Sequence, residues 1–313
     1  MTSYLPTQTA IAAQPMPGQR WLSRTTAARL SLLAPALLVL VACFLVPFVI
    51  LVSYSLQEPA TASAEGERTY GLANFVKLTT ESLYQQTILT TLWIAVVVVV
   101  ITLILGYALA FSIMRCSTRH RRLLLSLVIL PLLLSGVIRT FGWMVLLAPN
   151  GLLALLLQSF GLTDGGIALL GRPAGIVIGL THVLLPFMVL AIANNLAYLD
   201  PRLEEAASGL GASPIRTFLK VTLPLTAPGI ATGTAFVFIL AMGGFVTQAM
   251  LGYGRVQVLP LLVFDQATVG LNWPLASAAA VIMLIITLLF LTFLQRILSG
   301  RLGHARWSRR SGS

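Results

Sequence analysis

Residues 204–230 read EEAASGLGASPIRTFLKVTLPLTAPGI, a patterned and partly charged segment between two long apolar stretches of the chain. Two pairs of residues are typical helix starts, because each joins a capping side chain to a proline suited to the first helical position. They are Asp200-Pro201 and Ser213-Pro214. The glycines and prolines that end these helices are Gly209, Gly211, Pro224 and Pro228. The segment therefore predicts two short helices that meet at an angle before the next apolar stretch begins.

The first of these helices has one apolar face with small side chains at its centre. Its residues recur at i, i+3, i+4 and i+7, the spacing of a helix face, and they are Leu203, Ala206, Ala207 and Leu210. Glu204 and Glu205 fall in the first two turns, where the helix dipole favours negative charge. Such a helix can lie on lipid headgroups or dock against another protein. The lack of tryptophan or phenylalanine and the scarcity of lysine and arginine favour docking, because headgroup-bound helices usually carry these residues.

The composition is that of an all-α, polytopic membrane protein. Of the 313 residues, 57% are hydrophobic and 9% are charged, whereas soluble domains carry about 25% charged residues. The formal net charge is +11, but the basic residues cluster beside apolar stretches, as membrane orientation requires. A nucleic-acid partner is therefore not indicated, and the expected surroundings are a lipid bilayer.

Six stretches are long enough to cross a bilayer, since a helix needs roughly 20 apolar residues to do so. They are residues 30–56, 86–114, 122–147, 174–199, 228–250 and 274–298. Breaks are expected in the third and fifth, whose interrupting residues are Pro131, Gly136, Arg139, Gly243 and Gly244. These ranges predict six transmembrane helices.

The segments outside the spans are predicted to be tails and loops. Residues 1–29 are polar and contain proline, which is typical of a disordered tail, and residues 297–313 form a basic tail. The longest loop covers residues 57–81. Segment 148–173 contains an apolar run too short to cross the bilayer, which is either an interfacial helix or a re-entrant one.

The distribution of lysine and arginine predicts the orientation of the spans. Fifteen of the twenty lie in the two tails, in the loop after the second span and in the loop after the fourth. Four lie in the alternate loops, and Arg139 lies within the third span. Because positively charged loops stay in the cytoplasm, both termini and the segment quoted above are expected there.

Several kinds of chemistry are not supported by the residues present. The two lysines, Lys77 and Lys220, are followed by leucine and valine, so the chain has no phosphate-binding loop for ATP. The three histidines lie in separate segments without the spacing of a zinc site, and no catalytic triad can be assembled. We therefore expect no enzyme activity, no cofactor and no bound metal.

An ion-coupled secondary transporter is the alternative function from another class. Such carriers usually bury carboxylates at mid-membrane, but the nine acidic residues here all lie in loops or at span ends. Arg139 is the charged residue deep within a span, and it is either a structural arginine or part of a translocation pathway. Glycines every four residues at 171–179 and 229–233 allow close helix packing, either within the chain or between two chains.

The quoted segment resembles the signature loop of permease subunits in binding-protein-dependent ABC importers. The matching residues are Glu205-Ala206-Ala207, Gly211, Val221 and Leu223-Pro224, with valine at a position where the family usually has isoleucine. Residues 82–296 resemble one permease domain. Three further stretches are similar to the spermidine/putrescine branch of the family: LPLLLSGVIRTFGWMVLL, LLPFMVL and NWPLASAAA.

The resemblance implies the fold of a type I ABC importer permease in a bacterial inner membrane. It also implies that residues 200–227 form the loop that couples the permease to a cytoplasmic ATPase, which hydrolyses ATP as a separate subunit. The coupling residues that it implies are Glu204, Glu205, Ala206, Ala207, Leu210, Gly211, Leu223 and Pro224. The implied partners are two ATPase copies, a second permease subunit, homologous or identical, and an extracytoplasmic solute-binding protein. The implied cargo is a small solute such as a polyamine.

Overall fold

The computed structural model describes residues 21–58, 69–161 and 169–307. The chain divides into two units, Met1–Leu51 and Val52–Ser313. The helices, in chain order, are α1 Trp21–Ser55, α2 Ala73–Thr80, α3 Ser82–Arg115, α4 Thr118–Ile129, α5 Gly136–Leu147, α6 Leu152–Ser159, α7 Pro173–Ala197, α8 Pro201–Gly209, α9 Pro214–Thr217, α10 Leu223–Leu225, α11 Ala227–Gly243, α12 Phe245–Gly252, α13 Leu259–Thr268 and α14 Trp273–Trp307. A 3₁₀ turn covers Leu130–Leu133, and a π-helical turn covers Phe218–Thr222.

The described part of the chain contains five stretches that are long and apolar enough to cross a membrane. They are Ala34–Ser55, Ser82–Arg115, Gly136–Leu156, Pro173–Ala197 and Trp273–Ile297. A sixth is formed by α11 together with the short helices before it, which are bent against it by 63°. The predicted number of six membrane crossings is therefore confirmed if the bent pair of helices is counted as one crossing.

The first and last helices are longer than their predicted spans. α1 begins at Trp21, so the prediction of a disordered tail is wrong for residues 21–29, and residues 1–20 lie outside the described part. α14 continues to Trp307, well past the predicted end at 298. The length of an apolar run predicts only the part of a helix that lies in the bilayer. The helix can continue beyond that part through residues such as arginine, leucine and alanine, which are good helix formers.

The third predicted span is broken where proline interrupts it. Pro131 is the second residue of the 3₁₀ turn Leu130–Leu133, Leu134 is extended, and the next helix, α5, begins at Gly136. Predicted residues 122–147 are thus two helices, and the apolar stretch that can cross the membrane is Gly136–Leu156, which includes part of α6. The fifth predicted span is also broken, because Gly244 separates α11 from α12.

The core of the second unit is built on α3, α7 and α11, which pack against one another. Met188 of α7 is fully buried between two glycines of the neighbouring helices. A β-carbon at Gly106 of α3 would lie 2.7 Å from Met188 Cγ, and one at Gly233 of α11 would lie 2.5 Å from Met188 Sδ. At Gly229 a β-carbon would lie 3.0 Å from the Ala191 carbonyl oxygen. Gly229 and Gly233 therefore serve packing within the chain.

Candidate functional site: the loop helix and its supports

The loop between α7 and α11 starts its helices as the sequence predicts. The Asp200 carboxylate accepts a hydrogen bond of 3.0 Å from the Arg202 backbone N–H at the start of α8. The Ser213 hydroxyl accepts one of 3.4 Å from the Arg216 N–H at the start of α9. α9, the π-helical turn and α10 follow in an unbroken run to Leu225. The prediction of two short helical arms is confirmed.

The end of α8 turns sharply through Gly211. The Gly211 N–H donates to the Ser208 carbonyl at 2.9 Å, and the Ala212 N–H donates to the Ala207 carbonyl at 3.1 Å. Gly211 has a φ of +83°, a left-handed conformation that only glycine adopts without strain. This turn brings the second arm of the loop back alongside α8.

The apolar face of α8 is exposed along most of its length. Leu210 is 91% exposed and Leu203 46% exposed, and Ala206 between them is also exposed. Ala207 is half-buried, on the side of the helix that turns toward the rest of the loop. The predicted stripe therefore exists, but its outward part consists of Leu203, Ala206 and Leu210.

Glu204 lies on the opposite, inward side of α8 and contacts two other elements. Its Oε2 accepts a hydrogen bond of 2.7 Å from Nη2 of Arg115, the last residue of α3. Its Oε1 accepts one of 2.6 Å from the hydroxyl of Thr222, the buried last residue of the π-helical turn. Both carboxylate oxygens are thus used within the chain, so Glu204 faces the protein and not a docking partner.

An aromatic cluster packs against Arg115, the partner of Glu204. The Arg115 guanidinium lies 4.1 Å from the centre of the Phe111 ring, within range of a cation–π interaction. Phe218 of the π-helical turn meets the rings of Phe111 and Tyr107 edge to face, at 5.4 Å and 5.6 Å. α3 therefore presents three consecutive turns of side chains to the second arm of the loop.

A hydrogen-bond chain makes a second connection between the loop and α3. The Tyr107 and Thr226 hydroxyls are 3.0 Å apart, and the Thr226 hydroxyl also lies 3.0 Å from the Thr222 carbonyl. Leu223 is half-buried and lines the same apolar cavity as Phe218, whereas Pro224 is exposed. Of the predicted coupling residues, Glu204 and Leu223 thus contact other parts of the chain. The exposed ones are Glu205, Ala206, Leu210, Gly211 and Pro224.

The supporting residues were not found from the sequence. Arg115 was counted as one of the charges that orient the membrane spans, and nothing in its neighbourhood named Glu204 as its partner. Tyr107, Phe111 and Phe218 are ordinary apolar-face residues in their own helices. The usable signal was the four-residue spacing of Tyr107, Phe111 and Arg115, which places all three on one side of α3.

A second group of polar residues lies among α5, α7 and α12. The Thr140 hydroxyl is 3.1 Å from that of Thr247, and the Trp143 ring meets the His182 ring at 5.4 Å. Four residues of this region have buried side-chain nitrogens or oxygens without a hydrogen-bond partner among the described residues. They are Arg139, Thr181, His182 and Gln248.

Gln248 also repairs the break between α11 and α12. Its Nε2 donates a hydrogen bond of 2.6 Å to the Ala241 carbonyl, which the chain interruption at Gly244 leaves without a regular helix partner. Gln248 is fully buried, and its Oε1 remains without a partner in the described structure. Sequence reasoning had singled out Arg139 from this group, and it lies on α5 one turn before Trp143.

A family model described as binding-protein-dependent transport system inner membrane component matches residues 129–304. This match includes the loop with α8, the aromatic ring of Phe218 and the polar group around Arg139. The chain therefore belongs to this family: it is a permease subunit of an ABC importer and an inner-membrane protein.

Two relatives extend the similarity over most of the chain. The protein is 36% identical to the spermidine/putrescine transport system permease protein PotB of Haemophilus influenzae, over 64% of this chain and 70% of the relative. It is 32% identical to PotB of Escherichia coli, over 69% of this chain and 78% of that protein. These matches contradict the alternative of an ion-coupled secondary transporter.

The fold is shared with solved ABC transporters. A chain of a bacterial alginate ABC transporter, in complex with an alginate pentasaccharide-bound periplasmic protein, superposes with a TM-score of 0.74. It covers 91% of this chain and is 19% identical in sequence. A bacterial transporter that imports the acidic polysaccharide alginate gives 0.70 over 89% of the chain. The expected fold of an ABC importer permease is thereby confirmed.

Proposed function

We propose that α8 is the element through which this permease is coupled to its ATPase. The observation that carries the proposal is the exposed apolar face of Leu203, Ala206 and Leu210 on a short helix that projects from the membrane-crossing core. Exposed apolar patches are typical of protein contacts, and the small side chain of Ala206 at the centre allows close approach. Glu205 is also exposed, and we include it at the edge of this contact surface.

The other partners follow from the family. An ATPase is required, because the chain has no phosphate-binding loop of its own, and we propose two copies beneath two permease subunits. The distribution of lysine and arginine supports a cytoplasmic position for α8 and both termini. An extracytoplasmic binding protein delivers the solute to the opposite side.

We propose that the cargo is a polyamine such as spermidine or putrescine. The proposal rests on the printed function of the PotB relatives. Amines of this kind are protonated at neutral pH, yet the nine acidic residues of this chain all fall outside the six membrane-crossing stretches. An identical second subunit would add no carboxylate to the pathway. We therefore propose, of the two alternatives of a related or an identical second permease, that it is related to this chain and supplies the negative charge.

The polar group among α5, α7 and α12 is proposed to line the translocation pathway. Buried groups without hydrogen-bond partners are costly in a membrane protein, and irregular backbone at membrane depth is tolerated where it borders a water-filled cavity. Arg139 meets the first condition through guanidinium nitrogens that have no partner among the described residues. Gln248 meets both, because its Oε1 also lacks such a partner and its helix adjoins the break at Gly244.

Substitution of Ala206 by tryptophan tests the coupling role of α8. Ala206→Trp overfills the contact without touching the supports of the helix, so the permease should reach the membrane in normal amount but lose its ATPase on purification. Leu289→Trp, which adds the same ring to a 63% exposed position on α14, is the control and should retain the ATPase. Full association of the ATPase with Ala206→Trp would show instead that α8 lies on the lipid headgroups.

Uptake of radiolabelled spermidine tests the cargo. Cells that contain the whole importer should accumulate spermidine, and excess putrescine should compete. Cells that lack only this permease should not accumulate it. Equal accumulation with and without the permease would exclude polyamines as its cargo, while leaving the coupling role of α8 open to the test above.

A further inference from the structure

Glu204 of α8 makes its side-chain contacts within the permease and not on the surface proposed to dock with the ATPase. Its two carboxylate oxygens are bound to Arg115 and Thr222, at 2.7 Å and 2.6 Å, and its side chain is 26% exposed. Leu203, Ala206 and Leu210 point to the other side of the helix. Glu204 can therefore be changed without altering the surface that α8 offers to a partner.

The two bonds of Glu204 join α8 to elements far apart in the chain. Arg115 ends α3, which starts at Ser82 and packs against α7 and α11 in the core. Thr222 ends the π-helical turn and is followed, across the bend, by α11. One carboxylate thus links α8 directly to the end of α3 and to the segment that leads into α11.

The covalent links of α8 do not connect it to all of these helices. α8 is joined to α7 through Tyr198–Asp200, and to the second arm of the loop through the turn at Gly211. Neither link reaches α3. The direct contacts between α8 and α3 run through the Glu204–Arg115 pair, which the Phe111 ring holds in place by its cation–π contact at 4.1 Å.

We propose that Glu204 is a positioning residue that transmits movement of α8 to α3 through Arg115, and to α11 through Thr222. This proposal rests on the coupling role of α8. It assigns Glu204 to force transmission within the permease, in contrast to Ala206 and Leu210, which bind the ATPase. Loss of the Glu204–Arg115 pair should leave the ATPase bound while the end of α3 no longer follows it.

The native Cys116 reports this movement, because it follows Arg115 directly and is exposed. In a Cys43→Ser background, the rate of its labelling by a membrane-impermeant maleimide is measured in the purified permease–ATPase assembly. Rates are compared without nucleotide and after trapping with ATP and vanadate. The ratio of the two rates requires no knowledge of the transported solute, and it cancels a change in the intrinsic reactivity of the thiol that is the same in both states.

The ratio should differ from one by at least twofold in the parent protein and fall to about one in Glu204→Gln and in Arg115→Gln. The double variant Glu204→Arg, Arg115→Glu restores the pair with reversed charges and should recover most of the ratio. Arg122→Gln removes an exposed arginine from the following helix, α4, and should keep the parent value. ATPase retained on the purified permease should stay within twofold of the parent in all of these.

The outcomes separate this proposal from the coupling role itself. A parent ratio of one, or a parent-like ratio in Glu204→Gln, would overturn the transmission role while leaving docking by α8 intact. Loss of the ATPase from Glu204→Gln, as from Ala206→Trp, would show that Glu204 is a docking contact. If Ala206→Trp retained the ATPase, the coupling role of α8 would fail independently of any result at Glu204.

Discussion

The turn at Gly211 offers a sharp test of how α8 is presented to its partner. Gly211 has a φ of +83°, and a β-carbon at this position would meet no atom within 4 Å. A β-carbon therefore fits in space, and the penalty expected for alanine at this position is backbone strain. Gly209, two residues earlier, also has open space around it but lies within α8, where any residue adopts the conformation.

The expected magnitude follows from these two conformations. A side chain with a β-carbon in the left-handed region costs about 1–2 kcal/mol, with a β-branched residue at the upper end. If that strain displaces the turn, the docking-competent loop becomes less populated and ATPase affinity falls by a factor of about 5–30. At Gly209 the sign is opposite, because alanine in place of glycine stabilises a helix by roughly 0.5–1 kcal/mol.

The assay compares Gly211→Val, Gly211→Ala and Gly209→Ala at matched levels of permease in the membrane. Binding of the ATPase to detergent-purified permease should be weakest for Gly211→Val and less weakened for Gly211→Ala. For Gly209→Ala it should be unchanged or tighter. Since the membrane-crossing helices are untouched, thermal unfolding of the core should not change. Parent-like ATPase binding by Gly211→Val, or equal damage from Gly209→Ala, would refute the role of the left-handed turn.

Two further predictions address orientation and the pathway. A reporter active only in the cytoplasm should be active when fused after Arg310 and silent when inserted near Glu65, and the reverse pattern would overturn the predicted topology and the docking role together. Arg139→Met keeps an unbranched, flexible side chain, shorter than that of arginine, and removes its charge. It should lower solute uptake at least tenfold with the ATPase still bound, whereas normal uptake would reduce Arg139 to a structural role.

The sequence alone was sufficient for the features that depend on neighbouring residues. The apolar stretches predicted six crossings, because the length of a hydrophobic run is compared with a fixed bilayer thickness. Asp200 and Ser213 marked the helix starts of the loop, since a capping bond reaches only two or three residues along the chain. The position of Gly211 after α8 likewise predicted the turn. Lysine and arginine counts predicted an orientation for the same local reason.

The tertiary structure decided which of these residues touch one another. Glu204 and Arg115 are 89 residues apart, and the hydroxyls of Tyr107 and Thr226 are 119 apart. Such pairs form because close packing of α3, α7 and α11 sets the distance between helices, and no local pattern records that distance. The same packing decided that Glu204 faces inward while Ala206 faces out, although both belong to one predicted coupling helix. Helix faces are local properties, but the side that a face turns toward is fixed by the neighbouring helices.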